Sequence, residues 1–121
     1  MTIVVSTTAP DLDAAVDPRF GRAAFFIAVD PTTMAWQAHP NGAVNAMGGA
    51  GTQSAQFVAG LKAEAVVSGA FGPNAYAGLE AAGIAMFLCG QAATARQAVE
   101  EYQAGRLERA ALSSRGGRRR G

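Results

Sequence analysis

Ala65-Val66-Val67-Ser68-Gly69-Ala70-Phe71-Gly72-Pro73-Asn74 is a short strand that runs through two glycines into a helix. Pro73 suits the first helical position, where its missing N–H has no intrahelical acceptor to lose. A helix over Pro73 to Ala82 and a strand over Ile84 to Leu88 follow. A helix between two strands requires parallel pairing with a right-handed crossover, so helices must cover the faces of the sheet. This stretch decides for an α/β domain.

Working outward, a last helix over Ala93 to Ala104 has Ala95, Ala98, Val99 and Tyr102 at i, i+3, i+4 and i+7, and Gly105 stops it. On the other side a helix over Thr52 to Lys62 is expected, with Thr52 as its cap and Ala55, Val58 and Leu61 on its apolar side. Before it come three strands: Thr2 to Thr7, Ala23 to Val29 and Met34 to His39. The turn at Asp30 to Thr33 is short enough to make the last two an antiparallel hairpin. Ala9 to Arg22, rich in proline and aspartate, reads as a long surface loop. The expected order is βββαβαβα, a three-layer α/β domain built on a mixed five-stranded sheet with helices on both faces.

The 121 residues, half of them apolar, suit one domain, expected over 1–112. Residues 113–121 have no apolar side chain and are expected to be a basic, disordered tail; Arg115, Arg118, Arg119 and Arg120 lie there, which leaves the rest of the chain at −3. Leu107 to Leu112 is expected to extend or pack the last helix. No window approaches the roughly 18 to 20 continuous apolar residues of a membrane span, and Met1 to Ser6 lacks a basic region before an apolar signal stretch. A cytoplasmic protein without a membrane partner is expected.

Three glycines close together in Asn45-Ala46-Met47-Gly48-Gly49-Ala50-Gly51-Thr52-Gln53 mark a place where the backbone takes positive φ or lets something approach closely. With a helix beginning there, free N–H groups and the positive end of a helix dipole favour an anion. A plain loop accounts for the glycines equally well. Gly69 to Asn74 offers a second turn of the same kind, and ligands of open α/β sheets bind at such carboxyl ends of parallel strands. Gly49-x-Gly51 is followed by Ser54 rather than glycine, and no Gly-Lys-Ser/Thr occurs, which excludes a P-loop and argues against a dinucleotide site.

Asp17-Pro18-Arg19-Phe20-Gly21-Arg22 places two guanidinium groups in one loop, suited to an anionic ligand, although Asp17 can equally pair with one of them. One cysteine, Cys89, and one histidine, His39, cannot build a multi-thiolate or multi-imidazole metal site within one chain. They are weak metal candidates, Cys89 near the carboxyl-end rim and His39 beside Pro40. Met47 is a soft thioether more often used to fill gaps. No serine, histidine and carboxylate arrangement supports catalysis. The arginine tail suits phosphate polymers by charge but reads first as a solvated end, so nucleic acid is not expected as a partner.

Asp17 to Ala23, Asn45 with Gly48 to Gln53, Gly69 to Ala75 and Gly83-Ile84 occur in the order found in the dinitrogenase iron-molybdenum cofactor biosynthesis family, which the chain resembles over roughly 1–107. The resemblance implies a ribonuclease-H-like fold without ribonuclease activity, and a carrier or scaffold for metal-sulfur clusters. The chain looks most like the small stand-alone members, which hold a mixed molybdenum-copper sulfide cluster. Such a cluster brings its own sulfides and negative charge. Carried onto this chain, the resemblance has Arg19 and Arg22 neutralise it, with Asn45 and the backbone of Gly48, Gly49, Ala50, Gly51, Thr52, Gly72, Pro73, Asn74 and Ala75 around it. Met47, Phe20 and Phe71 would shield it from water. Because His39 lies on the third strand rather than in these loops, an iron-molybdenum cofactor precursor is the alternative ligand. The other reading is a protein-interaction or regulatory adaptor for an iron-sulfur ATPase or another cluster-assembly protein.

Overall fold

The computed structural model of the chain describes residues 1–43 and 49–111. Five strands, β1 (Ile3–Thr7), β2 (Phe25–Val29), β3 (Trp36–Pro40), β4 (Ala65–Ser68) and β5 (Ala85–Leu88), form one sheet in the order β3-β2-β1-β4-β5. Pairings β1–β2 and β2–β3 are antiparallel, and β1–β4 and β4–β5 are parallel. The helices are α1 (Ala50–Gly60), α2 (Pro73–Ala81) and α3 (Ala95–Gln103), so the expected order βββαβαβα holds. One turn of 3-10 helix, Phe20–Arg22, is added before β2.

Alternation along the central strands sorts the helices into two layers. Val4, Phe26, Val66 and Met86 pack with Ala55 and Val58 of α1 and Ala75 and Leu79 of α2. Ile3, Val5, Ile27 and Val67 face the other way, onto Leu12 and onto Ala95, Ala98 and Val99 of α3. Each fully buried Val, Leu, Ile or Phe contributes about 1.5–3 kcal/mol relative to exposure. Both faces of the sheet are therefore core, and polar chemistry is left to its carboxyl-end rim.

Several boundaries differ from the sequence reading, each for a local reason. Thr52 is not the cap of α1. The helix starts at Ala50 after Gly49, whose φ of 74° is left-handed and costs glycine little, and Thr52 is an exposed residue of the first turn. β3 starts at Trp36 rather than Met34 because the turn takes up more chain: Met34 N–H donates to the Asp30 carbonyl, Asp30 N–H to the Ala35 carbonyl, and Met34 has a φ of 64°.

Ala9 to Arg22 is the expected surface loop, half of it exposed, but it is strapped down at buried anchor points. Leu12 and Phe20 are fully buried, and the carbonyls of Leu12 and Ala14 accept the N–H groups of Arg96 and Ala95 at the start of α3. Residues 107–110 do not extend α3. They run antiparallel along the outer edge of β5, where Leu88 N–H donates to the Glu108 carbonyl at 2.8 Å and Ala110 N–H to the Met86 carbonyl at 2.9 Å. That pairing covers an edge that would otherwise leave its backbone groups unpaired. Residues 112–121, including the arginine tail, lie outside the described residues.

Candidate functional site

Three sequence motifs meet at the carboxyl end of β4. Pro18 sits against Gly69, Arg19 bridges to Ala70 in parallel fashion, Phe20 N–H donates to the Ala70 carbonyl at 3.2 Å, and the Phe20 and Phe71 rings tilt together at 5.4 Å. On the other side of the arginine turn, Gly21 presses on α1, where a β-carbon would stand 3.1 Å from the Gly51 Cα. Gly51 in turn lies against α2, 3.0 Å from the Ala75 nitrogen by the same measure. Close approach of backbone to backbone explains two of the glycines that the sequence offered as ligand gates.

These contacts enclose a cleft of about 370 Å³ lined by Arg19, Phe20, Gly21, Arg22, Gly49, Ala50, Gly51, Ala70, Gly72, Asn74 and Ala75. Its walls carry two guanidinium groups and, among the described residues, no carboxylate. Both α1 and α2 begin at it, with Gly49 and Gly72 as N-caps, residues that have no side chain to cap a helix. The contrast with α3 is informative: Thr94 Oγ1 accepts the Gln97 N–H at 3.2 Å, and strap carbonyls take the two donors before it, Ala95 and Arg96 N–H. The helix that starts elsewhere has a threonine cap, and the two that start at the cleft have glycine at that position.

The rim is held from beneath by buried polar groups. Ser6 Oγ lies 2.8 Å from both the Asp17 carbonyl and Ser68 Oγ, which joins the ends of β1 and β4 to the arginine loop. Asp17 Oδ1 accepts the Arg19 N–H at 3.0 Å and stands 3.9 Å from Arg19 Nε. The Arg19 side chain is still 70% exposed. Pairs this open contribute about 0–1 kcal/mol, so Arg19 is tethered rather than consumed.

Of the residues singled out in the sequence, Arg19, Phe20, Arg22, Gly49, Ala50, Gly51, Gly72 and Asn74 line this cleft. Thr52 and Pro73 are exposed beside it and do not line it, and Phe71 backs it through Phe20. Phe20 is 1% exposed and also packs on Phe26, so it is the floor of the cleft and part of the core. Asn45, Met47 and Gly48 lie outside the described residues. Ala75, the last of the backbone positions expected around the ligand, lines the cleft too, whereas Gly21 and Ala70 were missed as lining residues, and Asn41 and Ser54 as buried groups behind the turn. The Pro40-Asn41-Gly42 turn signal was the only hint of Asn41.

The two weak metal candidates are elsewhere. Cys89 directly follows β5 and its N–H donates to the Ser68 carbonyl at the end of β4, but it opens onto a different cleft, about 710 Å³, on the α3 side with Gln97, Glu100 and Arg106. Burial pushes its thiol up from the ordinary value. His39 packs edge-on to the Phe57 ring at 5.7 Å. Among the described residues no three His, Cys, Asp or Glu side chains gather to hold a metal ion.

Residues 1–105 match the model of the family described as dinitrogenase iron-molybdenum cofactor. The chain belongs to that family. Membership associates it with a molybdenum-containing cluster cofactor. Among solved structures, the chain is similar to the apo form of the orange protein from Desulfovibrio gigas, at 41% identity over 91% of this chain and 92% of that one, with a TM-score of 0.86. It is also similar to a NifB-related protein from Thermotoga, at 27% identity over 89% and 91% of the two chains and a TM-score of 0.77. No curated protein matches it. No described helix is long and apolar enough to cross a membrane.

Proposed function

We propose that this family member binds an anionic metal-sulfide cluster, of the molybdenum-copper sulfide type, as cargo in the cleft at the carboxyl end of β4, and stores or transfers it without catalysing a reaction. The observation that carries the reading is the convergence of Arg19, Arg22 and the amino ends of α1 and α2 on one cleft with no carboxylate among its described lining residues. Helix amino ends and guanidinium groups both favour negative charge. The absence of thiolate and imidazole among the described lining residues fits a cargo that already carries its sulfides. In this reading Arg19 and Arg22 balance its charge, the backbone N–H groups of the first helical turns donate to its sulfurs, and Phe20 excludes water from one side. An iron-molybdenum cofactor precursor is the alternative cargo.

The test is addition of tetrathiomolybdate and copper to the apo protein under anaerobic conditions, followed by desalting, absorption spectroscopy and metal analysis. Visible bands with stoichiometric molybdenum in the wild type, lost in the Arg19→Gln/Arg22→Gln double variant, are expected. A protein that stays colourless and metal-free overturns the reading.

A second reading, an adaptor for an iron-sulfur ATPase, is favoured by Trp36, 41% exposed on the outer strand β3. Stoichiometric capture of such an ATPase by the colourless protein, lost on Trp36→Ala, would select it.

A further inference from the structure

Asn41 lies outside the lining of the cleft, yet it is buried with every hydrogen-bonding site of its amide in use. Nδ2 donates to the Gly21 carbonyl at 3.2 Å and to the Ala23 carbonyl at 2.8 Å. Oδ1 accepts from Ala43 N–H at 3.0 Å and from Ser54 Oγ at 3.2 Å. The two carbonyls are those on either side of Arg22. Ser54 is on α1, one turn beyond Gly51, and its hydroxyl also lies 3.4 Å from the Gly21 carbonyl. One amide thus grips the peptide groups that flank an arginine and ties them to the helix whose amino end shares the cleft with that arginine.

We propose that Asn41 is a positioning residue for the anion cleft, fixing Arg22 against the amino end of α1 through the Gly21 and Ala23 carbonyls and Ser54. The inference rests on the cluster-binding reading. Arg19 is held by other means, through Asp17 and the Ala70 bridge, so the dependence on Asn41 belongs to Arg22 and not to Arg19. A residue that acts only on overall stability would not distinguish the two arginines.

The experiment is a pair of double-mutant cycles on uptake of tetrathiomolybdate with copper, each variant first checked for a cooperative thermal transition. Asn41→Ala is expected to weaken uptake about fivefold in the wild type and in Arg19→Gln, and less than about twofold in Arg22→Gln, since groups that act together are not additive. Should Asn41→Ala fail to fold, Ser54→Ala takes its place with the same pattern at about two- to threefold, because it removes one of the four partners. Equal losses in both arginine backgrounds, or no loss, overturn the inference while leaving cluster binding intact. A wild type that takes up no cluster overturns the cluster-binding reading and this inference with it.

Discussion

Pro18 sits so closely on Gly69 that a β-carbon added there would lie 2.6 Å from the Pro18 Cα and 2.9 Å from its carbonyl oxygen. Both neighbours are parts of the chain that cannot swing away, so the strap and the β4–α2 turn would have to separate. Gly69→Ala is expected to cost about 1–3 kcal/mol, the range for overpacking a close contact. A fall in Tm, with weaker cluster uptake as the Arg19 rim shifts, would bear this out; an unchanged Tm would refute it.

Gly72 presents the opposite case, since a β-carbon there would meet nothing within 4 Å and its φ of −68° is open to any residue. The fold does not need this glycine. Serine at the N-cap of α2 would supply its own acceptor to the first helical turn, so Gly72→Ser is expected to leave stability unchanged or raise it by a few tenths of a kcal/mol. Cluster uptake should fall, because the side chain competes for the same donors. Thermal denaturation beside a binding titration separates the two effects, and undiminished uptake would remove the α2 amino end from the site.

Asp17 offers a gain of affinity. Asn at this position can still accept the Arg19 N–H while removing the negative charge 3.9 Å from Nε. Asp17→Asn is expected to tighten anion binding up to about fivefold, the equivalent of an exposed pair worth about 0–1 kcal/mol. Weaker binding than wild type would mean that the carboxylate is needed to aim the arginine.

Cys89 is expected to be dispensable for cluster uptake because it opens onto the α3-side cleft, away from the arginines. Burial raises its thiol, so the thiolate is scarce at neutral pH and alkylation should be slower than for an exposed cysteine. Cys89→Ala with wild-type molybdenum stoichiometry is the expected result; loss of molybdenum would move the site.

Acid should loosen the strap from α3. Arg96 donates to Asp13 at 2.7 Å, and this hydrogen bond holds the Asp13 carboxyl below its ordinary value of 3.8. A carboxyl lowered in the folded state stabilises the protein above its unfolded value, and that contribution disappears as pH falls through the lowered folded value. Wild type should therefore lose more stability than Asp13→Asn as the pH drops below about 3.8. Parallel pH profiles of Tm for the two proteins would contradict this.

The sequence by itself determined the α/β class, the order of strands and helices and which residues belong together as motifs. Those signals are local: the run from Val66 through Gly69 to Pro73 sets strand, turn and helix within ten residues, and the spacing of Ala95, Ala98, Val99 and Tyr102 before Gly105 marks α3. It also drew attention to the arginine loop and both glycine turns before any contact between them was known. Only the tertiary structure decided what each glycine is for. Gly51 and Gly69 are small because backbone from elsewhere in the chain lies against them, Gly49 because its φ is left-handed, and Gly72 for no reason the fold supplies. Steric need at one residue depends on atoms tens of positions away, which no local pattern encodes. The same holds for Asn41, an ordinary turn residue in the sequence whose four partners come from Gly21, Ala23, Ala43 and Ser54, and for Cys89, which follows the strand next to β4 yet opens onto the α3-side cleft.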